Sequence, residues 1–334
     1  MILANFYGCS LISWNKTKGV FFMFTNIRSL RWFGLAGLYL VLLFSIGCQK
    51  QADTFDGKYP IQITSTTGMV SDLVQNIGKE KVTVQTLMGP GVDPHLYKAS
   101  HGDLDKLEKA DIIFYSGLHL EGKMSEVLEK IGNQKTVVAV TSEINPKILL
   151  QTAENQIDPH LWFDVSLWIE AAKKVEKTLI AYDPKNKAFY EQNASVYLKS
   201  LQELDTYVRT QLSTIAPEQR VLVTAHDAFG YFGKAYGYEV VGLQGISTAS
   251  EYGLKDVQRL VDLLSSRKIK AVFVESSVPK KSIEAVVQGA KQKGHSVVIG
   301  GELFSDALGE HGTPEGTYIG MVRHNVDTIV QALR

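Results

Sequence analysis

The tetrapeptide Asp-Pro-His-Leu occurs twice in this chain, at residues 93–96 and 158–161. In each copy proline fixes φ and the aspartate can cap the following backbone, which accounts for a turn but leaves the histidine unexplained. A neutral imidazole is a good donor for a borderline divalent cation. The only cysteines, Cys9 and Cys48, lie in the first 48 residues. The body of the chain therefore has no thiolate donor and no internal disulfide, and a metal site there must use imidazoles and carboxylates. Two further residues fit such a set. His226 comes just after the β-branched run Val221–Thr224, with Ala225 between, and Asp306 closes Gly300-Gly301-Glu302-Leu303-Phe304-Ser305-Asp306. His95, His160, His226 and Asp306 would give three nitrogens and one oxygen, with zinc–nitrogen distances of about 2.0–2.1 Å. Glu302 and Asp227 are the alternative donors. His101, His119, His295, His311 and His324 lack such placement and read as surface or helix-face residues.

The elements that would position these groups follow from periodicity. Residues 61–67, 82–88, 112–115 and 137–140 are β-branched runs separated by helical patterns, as buried parallel strands are. A second set follows at 221–224, 239–243, 271–275 and 296–299, with helices at 255–266 and 280–293. The fold class expected is α/β: two lobes, each with a mostly parallel four-stranded sheet flanked by helices. His95 and His226 then fall just beyond strand carboxyl ends, where open α/β sheets bind ligands. Asp183-Pro184 starts a glycine-free stretch that runs to Pro217, and Tyr190, Ala194, Tyr197, Leu201, Leu204 and Val208 form one apolar stripe along it. One helix of roughly 50 Å is expected there, long enough to act as a spine between the lobes.

Charge and length bound the partners. Lys+Arg and Asp+Glu balance at 35 each in 334 residues, so no global field favours nucleic acid. Arg28 and Arg31 precede an apolar run from Trp32 to Gly47, shorter than the roughly 20 residues that span a membrane. This is an export signal, with Met23 a plausible start. Its end, Phe44-Ser45-Ile46-Gly47-Cys48, resembles a lipobox in which Cys48 is lipidated, although Ser45 stands where leucine is usual. The expected organisation is a signal peptide at 1–48, a polar tether at 49–58, an N-terminal lobe at 59–182, a linking helix at 183–217 and a C-terminal lobe at 218–334.

Thr224 to Glu251, with the runs VFVESSVPKKSIEAV and GGELFSDALGE, resembles the metal-binding solute-binding proteins of bacterial ABC importers, a zinc and manganese family that includes lipoproteins once described as adhesins. The resemblance covers nearly all of residues 59–334. It implies two lobes joined by one long helix, with metal positions at His95, His160, His226 and Asp306. It also implies capture of zinc or manganese outside the cytoplasm, delivery to a membrane permease, a lipid anchor and a monomer. A third histidine, His226, resembles the zinc binders and some zinc/manganese binders, so zinc is favoured. The rival readings are a zinc hydrolase with Glu302 or Asp227 as general base, and an adhesion lipoprotein whose metal is structural. The hydrolase is the weaker, since catalytic zinc keeps an open position and no H-E-x-x-H occurs in the chain.

Overall fold

A computed structural model describes residues 55–152 and 155–334. The signal segment, Cys48 and most of the tether lie outside the described residues. In the first half, β1 (Ile61–Ser65), β2 (Val82–Thr86), β3 (Ile112–Tyr115) and β4 (Thr136–Ala139) form a parallel sheet in the order β2-β1-β3-β4. Four helices accompany it: α1 (Gly68–Gly78), α2 (His101–Lys109), α3 (Ser125–Gly132) and α4 (Val165–Tyr182). Asp164 caps α4 through the backbone N–H of Ser166, which fixes where the chain leaves the second Asp-Pro-His-Leu turn.

The long helix α5 spans Lys187–Leu212, after a single 3₁₀ turn at Pro184–Asn186. It ends five residues before Pro217, which opens a separate 3₁₀ turn at Pro217–Gln219. Its 26 residues give about 39 Å rather than the expected 50 Å. The expected stripe is its buried face: Tyr190, Ala194, Tyr197, Leu201, Leu204 and Val208 are all inside, joined by Leu212.

The second half carries β5 (Val221–His226), α6 (Gly230–Tyr236), β6 (Glu239–Gln244), α7 (Leu254–Arg267), β7 (Ala271–Glu275), α8 (Lys281–Gln292), β8 (Val298–Leu303) and α9 (Tyr318–Leu333). Its four strands hydrogen-bond as two parallel ladders, β5–β6 and β7–β8, and not as one continuous sheet. β5 and β7 are neighbours, but at their ends the Glu275 carboxylate takes the His226 N–H at 2.8 Å, a donor that a ladder would have used. β8 begins later than expected and runs through Gly300 and Gly301, where the ladder shifts register between Val272 and Phe273. A Cβ on Gly300 would meet Ala332 of α9 at 2.6 Å, so these glycines let the helix lie against the strand.

α5 packs against α4 and α1 on one side of the sequence and α9 on the other. One apolar cluster accordingly contains Ile63, Leu73 and Trp168, then Leu204, then Phe273 and Ile329. A second cluster, around Val223, Leu260, Val272 and Ile283, packs α7 and α8 against the second-half strands.

Candidate metal centre

His95 lies in the loop between β2 and α2, and His160 precedes a 3₁₀ turn, Leu161–Phe163, that leads into α4. His226 is itself the last residue of β5, where the sequence had placed it two residues beyond the strand end. Asp306 follows β8 by three residues. These four residues each bring one donor atom to a common point, all within 4.8 Å of one another. The Nε2 atoms of His95 and His160 are 3.3 Å apart. Asp306 Oδ2 is 3.6 Å from His95 Nε2 and 3.3 Å from His226 Nε2, while its Oδ1 is 3.5 Å from His160 Nε2. All four side chains are buried.

Two carboxylates hold two of the rings. The Asp158 carboxylate accepts the His160 backbone N–H at 2.9 Å and stands 2.7 Å from its Nδ1. Glu275 does the same for His226, at 2.8 Å to the backbone N–H and 2.5 Å to Nδ1. With Nδ1–H donating to a carboxylate, each ring turns the lone pair of Nε2 toward the centre, the arrangement found behind metal-bound histidines. His226 Nε2 and both Asp306 oxygens have no hydrogen-bond partner. Buried polar atoms are seldom left so, because the cost is not repaid without a partner. The donor set suits a divalent cation.

The electrostatics follow from the same contacts. Burial alone would lower His160, yet its hydrogen bond with Asp158 and the nearby charges of Asp158 and Asp306 raise its pKa to about 9. His226 is likewise penalised by burial, but Glu275 and Asp306 carry it well above the ordinary range. Burial would raise Asp306, and the neighbouring His226 and His160 instead hold it well below the usual carboxylate value. His95, with no carboxylate on its Nδ1 among the described residues, is pushed by burial down to about 3. The carboxylates of Asp158, Glu275 and Asp306 thus draw His160 and His226 toward their protonated forms, whereas burial draws His95 toward the neutral one.

The alternative donors separate cleanly. Glu302 lies in β8 and pairs with Lys280 at 2.6 Å, away from the cluster. Asp227 is beside the centre, and burial raises its pKa, with the Asp158 charge adding to the rise. It is not one of the four that converge. His101 begins α2, and His119 and His311 are exposed. His295 bonds the carbonyl of Ile269, and His324 that of Glu302. Sequence reasoning missed Glu275. Its signal was a charged residue closing the otherwise apolar run Ala271-Val272-Phe273-Val274. Asp158 had been read only as a cap for its turn.

The family model for ZnuA, zinc-uptake complex component A, periplasmic, matches residues 63–332. The chain belongs to the ZnuA family. It is 52% identical over 303 residues to the manganese-binding lipoprotein MntA of Bacillus subtilis (strain 168), covering 90% of this chain and 99% of that protein. It is 51% identical over 278 residues to the zinc-binding protein TroA of Treponema pallidum (strain Nichols), covering 83% and 90%. The solved structure of periplasmic zinc-binding TroA from Treponema pallidum superposes with a TM-score of 0.80 at 50% identity, over 81% of this chain and 98% of that one. ZnuA-family membership makes the protein a metal-binding solute-binding component of an ABC importer and not an enzyme, which disposes of the hydrolase reading.

Proposed function

We propose that this ZnuA-family protein captures one divalent transition metal outside the cytoplasm, zinc in preference to manganese, and hands it to the permease of its importer. His95, His160, His226 and Asp306 are the ligands in this reading. The observation that carries it is the buried cluster itself, in which His226 Nε2 and both Asp306 oxygens lack any other partner. Three nitrogen donors favour zinc, because affinity for nitrogen rises from manganese toward zinc along the Irving–Williams order. The names of the relatives do not decide the metal, since one is called manganese-binding and another, equally similar, zinc-binding.

The ligands divide between residues 59–182, which supply His95 and His160, and residues 218–334, which supply His226 and Asp306. The reading treats these segments as two lobes that close on the ion, with the linking helix limiting them to a small tilt. Cys48 is the lipidation site, anchoring a monomer at the outer face of a bacterial membrane or in the periplasm. Among the described residues no helix is long and apolar enough to cross a membrane.

The test is elemental analysis of protein purified without chelator or added metal, followed by competition between zinc and manganese. The expected result is one bound metal per chain, with zinc displacing manganese. A chain that carries no metal and takes up neither ion would overturn the reading.

A further inference from the structure

The two Asp-Pro-His-Leu turns are the same in sequence and share an Asp carboxylate that accepts the His backbone N–H, but they differ in what holds the ring and the leucine. In the second, Leu161 is fully buried, the Asp158 carboxylate grips its own imidazole, and the Tyr231 hydroxyl donates to the Asp158 carbonyl at 3.0 Å. In the first, Leu96 is 47% exposed and no carboxylate reaches His95 Nδ1 among the described residues. Asp93 Oδ1 accepts the His95 backbone N–H at 2.9 Å, as Asp158 does for His160, but Asp93 makes no bond to the ring and its Oδ2 instead accepts the hydroxyl of Thr248 at 2.5 Å.

Thr248 comes from the other half of the chain, in the loop after β6. That loop is tied back to the sheet by Gln244, the last residue of β6, whose side-chain amide donates to the carbonyls of Thr248 at 2.8 Å and Ser250 at 2.5 Å. A continuous line of hydrogen bonds thus runs from β6 through Gln244, Thr248 and Asp93 to the turn bearing His95. His95 also lines a cavity of about 450 Å³ with Leu118, His119, Pro159 and Ile246. His160, His226 and Asp306 do not line it.

We propose that Thr248 is a positioning residue for metal release: through Asp93 its hydroxyl holds His95 on the ion, and His95 is the ligand that lets go first. This rests on the metal-capture reading above. A ligand fastened by its own carboxylate and a buried leucine stays with the protein scaffold. One whose ring has no carboxylate of its own, and whose turn is tied to the opposite half through a single hydroxyl on Asp93, comes away when the halves part. The hydroxyl therefore sets the rate at which the ion leaves, with little effect on the rate at which it arrives.

The experiment is stopped-flow release of Zn²⁺ from the loaded protein into excess chromophoric chelator, with the association rate measured alongside, for wild type, Thr248→Val and Thr248→Ser. Thr248→Val keeps the shape and removes the donor. It is expected to speed release about tenfold, with association within about twofold and the thermal midpoint of the metal-free protein unchanged. Thr248→Ser restores the hydroxyl and should restore the slow release. Release from Thr248→Val at the wild-type rate overturns the proposal, as does equal acceleration by both variants, which would assign the effect to packing. Wild-type protein that binds no Zn²⁺ at all would instead bring down the metal-capture reading, and this one with it.

Discussion

Glu275 grips His226 at two points, taking the backbone N–H with one oxygen and meeting ring Nδ1 with the other. Both side chains are fully buried, and the carboxylate fixes at once where β5 ends and which way the ring faces. Replacing it by glutamine leaves only one acceptor for these two donors. Glu275→Gln is expected to weaken metal affinity by about 10–100-fold while the fold is retained. Competition with a chelator of known affinity measures the loss, and circular dichroism checks the fold. Affinity within twofold of wild type would mean the ring is held by its packing and not by the carboxylate.

Metal binding should expel protons even at neutral pH. His160, raised to about 9, and His226, carried well above its ordinary value by Glu275 and Asp306 against the pull of burial, are drawn toward their protonated forms in the metal-free protein near pH 7. His95, lowered to about 3 by burial, is not. The sign follows: affinity rises with pH through neutrality toward 9 and falls progressively on acidification, because protons and metal compete for the same lone pairs. Calorimetry in buffers of differing ionisation enthalpy should show about two protons released per metal at pH 7. Release of none would mean that both rings are already neutral without metal.

His226→Glu replaces a nitrogen with a harder oxygen donor and places two carboxylates side by side at the position of Glu275. The zinc-over-manganese preference is expected to fall, mainly through weaker zinc binding. Parallel titrations with the two ions give the ratio. An increased preference would show that the shape of the cleft, rather than donor type, sets selectivity.

The start of α2 offers a prediction on stability alone. Asp103 accepts hydrogen bonds from the Ser100 backbone, the Ser100 hydroxyl at 2.6 Å and the Tyr97 hydroxyl at 2.6 Å, closing a capping box. Burial would raise its pKa, but these bonds lower it. The stabilisation is therefore present above the unfolded value of about 3.9 and is lost as pH falls through the lower folded value. Asp103→Asn should cost about 1–2 kcal/mol at pH 7, and the gap to wild type should narrow below pH 4. Urea unfolding at the two pH values decides it.

The convergence of His95, His160, His226 and Asp306 was legible because these residues sit where backbone chemistry is conspicuous. Proline marks the turns of His95 and His160, and the ends of apolar runs mark His226 and Asp306. The stripe on α5 was equally plain, since all six of its expected residues are buried. What stayed hidden depended on partners distant in the chain. Glu275 acquires its role only when β7 comes to lie beside β5, 49 residues away in sequence. Pro217 reads as the end of a helix, yet the chain leaves the helix at Leu212 and uses the proline to open another turn. The last strand reads as ending at 299, before Gly300 and Gly301, whereas α9 requires those glycines inside it.

The apolar cluster that threads from Ile63 through Leu204 to Ile329 has a consequence for how the molecule comes apart. Smaller clusters lie wholly to one side of α5, but neither flanking segment completes this largest one alone. A fragment cut within that helix would leave half a seam of leucine and tyrosine bare to water, and its partner fragment the other half. Loss of structure is therefore expected to be cooperative across α5, and a calorimeter should record a single transition for the whole body. A bound ion is then expected to protect the whole cooperative body against proteases and not only its own centre.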